Sequence, residues 1–185
     1  MECFSTKSVD KIEKIGNAVK PGSPRRSGKN PFVRITAKAD YAVRAAVELA
    51  AAEKTGKPVK GEFLAGSQGI PQNFLENILT ELRRAGIVRT RRGADGGYQL
   101  ARPGGDITVA EVLRAVEGPL AAVQGIRPDQ LVYGGAAERL PEVWVALRAS
   151  LRDVLEHVTL ADIAKGRLPS VVKDRTRPKD AWRAH

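Results

Sequence analysis

Between Gly69 and Ala101 the chain places a turn, a strongly two-sided helix and a basic hairpin in immediate succession, and few folds accept that order. Gly69-Ile70-Pro71 reads as the turn, with Pro71 suited to the first position of a helix, where a backbone N–H has no partner anyway. From about Pro71 to Ala85, Phe74, Leu75, Ile78, Leu79 and Leu82 fall on one face at helical spacing. Asn73, Glu76, Thr80 and Arg83 fall on the other, and Gly86 suits the C-terminal cap. A shorter helix is expected just before, over Gly61–Ser67, which completes a helix-turn-helix pattern. Ile87–Arg91 and Gly97–Ala101 then alternate in polarity, and the Arg92-Gly93-Ala94-Asp95-Gly96 connection suits a hairpin needing positive φ. A basic hairpin directly after a helix-turn-helix is a wing.

The flanks fit the same plan. Thr36 is a good N-cap for a helix over Ala37–Glu53, where Tyr41, Ala45, Leu49 and Ala46, Ala50 recur at helical spacing. Thr108-Val109-Ala110-Glu111 is a capping box that opens a fourth helix, ending near Gly118-Pro119. Later, Leu140, Trp144, Leu147, Leu151, Val154 and Val158 step by four and three residues, the seam of a helix that packs on a copy of itself. Thr159–Lys165 adds one more turn or short helix. The expected fold is mainly α with a small β-hairpin wing: a winged helix-turn-helix plus a long C-terminal dimerisation helix. The expected organisation is a disordered basic extension (1–32), a DNA-binding domain (33–118), a loop (119–139), the dimerisation helix (140–168) and a disordered basic tail (169–185).

Composition narrows the function classes. Aromatic residues are only 5% of 185, so the core must be built from Ala, Val, Leu and Ile, which suits helices. The net charge of +10 favours a polyanionic partner, yet most of the excess sits in the tails. Residues 1–33 hold seven basic and three acidic side chains, and 171–185 hold five and two. A single cysteine, Cys3, excludes an intramolecular disulfide and points to a reducing compartment. Neither a signal sequence nor a run of apolar residues long enough for a membrane span is present, so a cytoplasmic location is expected. Catalysis is not expected. Nucleophile, zincin and Cys–His signatures are missing, and there are two histidines, one of them terminal. Gly22–Lys29 has five residues between its glycines, where a phosphate loop needs four.

Duplex DNA is the expected partner. Gln72, Asn73, Glu76 and Asn77 stand on the first turns of the third helix, where amides can address adenine and a carboxylate can accept from cytosine N4. Arg83 and Arg84 lie two turns on and suit phosphates. Arg89, Arg91 and Arg92 crowd the wing, whose tip suits a narrow minor groove. Lys38 and Tyr41, near the start of the first helix, suit backbone contacts. Two blander readings stand beside these: a solvated helix face for Gln72–Asn77, and an edge strand protected by charge for the wing. The rival function is a winged-helix module that binds protein and never reads sequence.

Several stretches in the right order resemble the Rrf2 family of winged-helix regulators, of the IscR, NsrR and CymR types. They are Arg34–Val43, Gly69–Glu76, Leu82–Val88, Arg92–Ala101, Ala115–Leu120 and Val158–Ile163, spanning roughly residues 33–166. The resemblance implies base contacts at Pro71, Asn73 and Glu76, a wing contact at Arg92, and first-helix backbone contacts at Thr36, Lys38 and Tyr41. The heptad seam implies a homodimer, a dimer calls for a near-palindromic operator, and the lack of any polymerase-contacting module points to repression. Cluster-binding members carry three cysteines before the dimer helix, and here Ala121–Leu140 carries none, so no cofactor and no metal are expected. In place of a cluster, Tyr133 and Trp144 are candidates to line a pocket for a small apolar effector; a protein effector, or none, is equally consistent.

Overall fold

The computed structural model describes residues 35–93 and 95–183, so the reading of 1–32 as a disordered extension lies outside the described residues. Helix α1 spans Ala37–Ala52 and is capped by Thr36, whose Oγ1 accepts the Ala39 N–H at 3.0 Å. Its inward face is nearly all alanine: Ala39, Ala42, Ala45, Ala46 and Ala50 are buried, with Leu49. Methyl side chains let neighbouring helices approach closely, and α1 becomes the axis on which the other elements pack.

α2 (Gly61–Gln68) buries Leu64 and Ala65. Gly69 closes it at φ 61°, and the Ile70 N–H reaches back to the Ala65 carbonyl at 2.9 Å, tucking Ile70 into the core. Pro71 then caps α3 (Gln72–Arg84), accepting from the Phe74 and Leu75 amides at 3.0 Å. Leu75, Ile78, Leu79 and Leu82 are buried as the spacing predicts, but Phe74 is 44% exposed. It leans sideways instead, edge-on to the Tyr41 ring with centroids 5.9 Å apart.

A second left-handed glycine, Gly86, turns the chain out of α3 into β1 (Val88–Arg91), which pairs antiparallel with β2 (Gly97–Leu100). The register sets Val88 opposite Leu100 and Arg91 opposite Gly97. Val59, just before α2, bridges Tyr98 through two 2.8 Å hydrogen bonds and so borders β2 on its other side. This approach needs Gly97, because a Cβ there would stand 2.5 Å from the Val59 carbonyl oxygen.

α4 (Val109–Glu117) opens with the predicted capping box between Thr108 and Glu111. A second box, Thr159 with Asp162, opens α6 (Leu160–Ala164), and the two starts are laced together by Val109 N–H to Val158 O at 2.9 Å and Leu160 N–H to Ile107 O at 3.0 Å. That pairing corrects the seam. α5 (Leu140–Leu155) stops before Val158, which is 5% exposed and packs within its own chain against Ala39, Val109 and Leu113. Leu140, Trp144, Leu147, Leu151 and Val154 stay on α5, all half-buried. The segment before α5 is more ordered than a low-periodicity loop. It contains a Val123–Ile126 bridge and short 3-10 turns at Pro128–Gln130 and Gly135–Ala137.

The tail expected to be disordered forms α7 (Ser170–Thr176). Leu168 and Val172 dock on the Ala39–Val109–Leu113–Val158 cluster, and Arg175 bonds Asp153 of α5. Two apolar contacts are too few for a periodic signal, so only the tertiary site makes this helix legible. Among the described residues no helix is long and apolar enough to cross a membrane.

Two tests follow from these contacts. Gly97→Ala is expected to lower the melting temperature by breaking the Val59–Tyr98 bridge, with about 1–3 kcal/mol lost to overpacking; unchanged unfolding would show that the bridge is dispensable. Hydrogen bonds from Arg152 and then Arg114 hold the Glu156 carboxyl at about 2, against an ordinary 4.5. A lowered folded-state pKa stabilises above the unfolded value and loses that stabilisation as pH falls through the folded one. Melting temperature should therefore fall as pH drops from 4.5 toward 2, and less steeply in Glu156→Gln; equal slopes would rule the interaction out.

Candidate nucleic-acid interface

The helix-turn-helix is locked by side chains far apart in sequence. Arg44 of α1 bonds the Gln68 carbonyl oxygen and, through Nε, Gln68 Oε1 at 3.0 Å. Gln68 Nε2 in turn donates to Glu48 at 2.5 Å, so the C-terminal end of α2 is pinned to α1. The Arg44 guanidinium also sits 5.5 Å from the centre of the Tyr41 ring. Neither Arg44 nor Glu48 stands out in the sequence, because their partner is 20 or more residues away.

Lys38 ties three helices together. Its Nζ donates to the Val116 carbonyl of α4 at 2.7 Å and pairs with Glu81 of α3 at the same distance. Thr36 is also engaged, donating from Oγ1 to Glu117 at 2.6 Å while it caps α1. Tyr41 is half-buried against Phe74. These three side chains thus hold the start of α1 against α3 and α4.

The residues read from sequence as base and phosphate contacts stand differently. Pro71, Gln72, Asn73, Glu76 and Asn77 are all exposed on the first turns of α3. Arg83 and Arg84 are exposed on its last turn, and Arg89, Arg91 and Arg92 on the wing. Arg89 and Arg91 are two apart on β1 and therefore share a face. Among the described residues, none of these five arginines has a carboxylate within ion-pair reach. Elsewhere pairing is common: Arg44 with Asp40, Arg102 with Glu111, Arg114 and Arg152 with Glu156, and Arg127 with Asp129. Uncompensated charge on exposed side chains is suited to releasing counterions from a phosphate backbone.

The candidate effector residues lie outside this surface. Tyr133 is half-buried, and the Trp144 indole N–H is buried with no hydrogen-bond partner among the described residues. A cleft of about 310 Å³ opens nearby, lined by Arg114, Gly118, Pro119, Leu120 and Arg148, with neither aromatic residue in its wall.

Comparison with known proteins agrees with this architecture. A family model described as "Rrf2: Iron-dependent Transcriptional regulator" matches residues 35–166. Rv1287 of Mycobacterium tuberculosis is 54% identical over 140 residues, covering 76% of this chain and 86% of that protein. CymR of Bacillus subtilis, an HTH-type transcriptional regulator, is 31% identical over 132 residues, covering 71% of this chain and 90% of its own length. The solved structure of that CymR superposes with a TM-score of 0.61 at 31% identity, over 73% of this chain and 98% of its own. The structure of T. potens IscR gives 0.58 at 31% identity, over 83% and 93%. The residues present here do not fit an iron–sulfur cluster. Residues 119–139 hold neither cysteine nor histidine, the single Cys3 lies outside the described residues, and no described group of three His, Cys, Asp or Glu side chains could hold a metal ion. The chain belongs to the Rrf2 family: it is a DNA-binding transcriptional regulator of winged-helix fold, not an enzyme, and it lacks the multiple cysteines that an iron–sulfur cluster needs.

Proposed function

We propose that the protein is a repressor that binds a near-palindromic operator as a homodimer, and does so without an iron–sulfur cluster. One observation carries the reading. Among the described residues, five exposed arginines on the last turn of α3 and on the wing have no carboxylate in ion-pair reach, and the first turns of α3 present exposed polar side chains. In this reading α3 enters the major groove, where Asn73 and Glu76 address base edges and Gln72 and Asn77 assist beside Pro71. Arg92 enters the adjacent minor groove, and Arg83, Arg84, Arg89 and Arg91 hold phosphates. Thr36, Lys38 and Tyr41 set the angle of α1 and offer its first turn to the backbone.

The second copy is assigned to α5. None of its residues is buried within the chain, although Leu140, Trp144, Leu147, Leu151 and Val154 form a continuous apolar stripe. Val143 beside that stripe is 56% exposed. A helix with this much apolar surface left open is stabilised by an isologous partner, and two-fold symmetry then sets half-sites about one helical turn apart, roughly 34–36 Å.

Selection of bound duplexes from a random library tests the reading directly. One near-palindromic sequence should be enriched, and no enrichment would overturn it. On the selected site, Arg92→Ala should weaken binding by about 1–3 kcal/mol, while Glu76→Ala should relax preference at one base pair. Analytical ultracentrifugation tests the dimer: the wild-type chain should sediment as a dimer and Leu147→Glu as a monomer. A monomeric wild type would exclude the α5 assignment.

A further inference from the structure

We infer that the cleft between the C-terminal end of α4 and the middle of α5 is a binding site for a small organic carboxylate with a short apolar body. The cleft measures about 310 Å³, within the range of small-molecule sites. Two arginines line its wall from different elements, Arg114 from the last turn of α4 and Arg148 from α5. Pro119 and Leu120 supply an apolar side, and Gly118 leaves the remaining wall open because no side chain projects there.

The charge around the cleft is unbalanced. Four arginines share two carboxylates. Arg114 and Arg152 both bond Glu156, and Arg127 grips both oxygens of Asp129 at 3.1 and 2.8 Å. Among the described residues Arg148 is left with Asp129 at 3.9 Å, too far for a hydrogen bond, although its side chain is only 27% exposed. Glu156 and Asp129 are both held ionised by their arginine partners, so neither can supply further charge. A half-buried guanidinium without a close acceptor favours an added anion, and a carboxylate matches its planar fork. The neighbouring Pro119 and Leu120 favour an anion that carries carbon over bare phosphate or sulfate.

α4 packs on α1 of the DNA-reading half, while α5 carries the proposed dimer seam, so an occupant bonded to both arginines bridges the two. That consequence rests on the operator-binding reading above. Ligand binding itself is measured without DNA, so the two can fail separately.

The test is isothermal titration calorimetry on the full chain with propionate, butyrate, isovalerate and succinate. Inorganic phosphate and sulfate serve as comparison arms, with ionic strength held constant by sodium chloride. At least one carboxylate should bind saturably at one site per chain, tenfold or more tightly than phosphate or sulfate. Arg148→Gln should weaken it tenfold or more while leaving the Arg127–Asp129 pair in place. Leu120→Ala keeps every charge and should reduce the preference for the longer chains, which provides a second test if Arg148→Gln does not fold. Absence of carboxylate binding, equal binding of phosphate, or binding untouched by both substitutions would overturn the site.

Discussion

Everything in the DNA-reading half depends on how closely other elements approach α1. Ala42, Ala45 and Ala46 have no exposed surface, and α3, α4, α6 and β2 all contact that helix. A methyl group is the largest side chain that such crowding accepts, because protein interiors are packed too tightly for extra methylenes to go unnoticed. Bulk is supplied from the surrounding elements instead: Leu64, Leu75, Ile78, Leu79, Leu82, Ile107 and Leu160 are fully buried around the alanine face. Each such side chain contributes about 1.5–3 kcal/mol by leaving water. The scarcity of aromatic residues in the sequence is the compositional trace of this arrangement.

Polar groups then fix orientation at the edges of the core, since the described chain buries no polar or charged residue. Lys38 joins α1, α3 and α4, Arg44 joins α1 to the end of α2, and two capping boxes meet where α4 and α6 begin. These ties engage much of the charge on the body of the domain. Among the described residues, the arginines at the end of α3 and on the wing stand outside these ties, exposed and without a carboxylate in ion-pair reach. The division matters more than the net charge: a chain of +10 with its arginines paired would present a much weaker field to a phosphate backbone.

α5 belongs to a different regime. It is 16 residues long, buries nothing completely, and is held within its own chain by Pro128 below, α7 alongside and ion pairs at its end. An element of this kind is free to answer to a partner or ligand in a way that α1 is not, because few buried contacts resist its displacement.

Local patterns were enough to identify the caps at Thr36 and Thr108, the buried stripe of α3, the glycine turns at Gly69 and Gly86, and the hairpin, since each depends on residues within a few positions. The resemblance to a regulator family rested on the same short stretches. Tertiary structure alone decided that Lys38 is engaged by its own chain, that Phe74 lies beside Tyr41, and that Val59 borders the wing. It also decided that Val158 belongs to its own chain's core and that the tail folds back as α7. Helical and strand periodicity reports which face of an element is apolar, but not which surface will cover it. That choice is made by contacts between residues distant in sequence, whose free energy appears only once the elements have met.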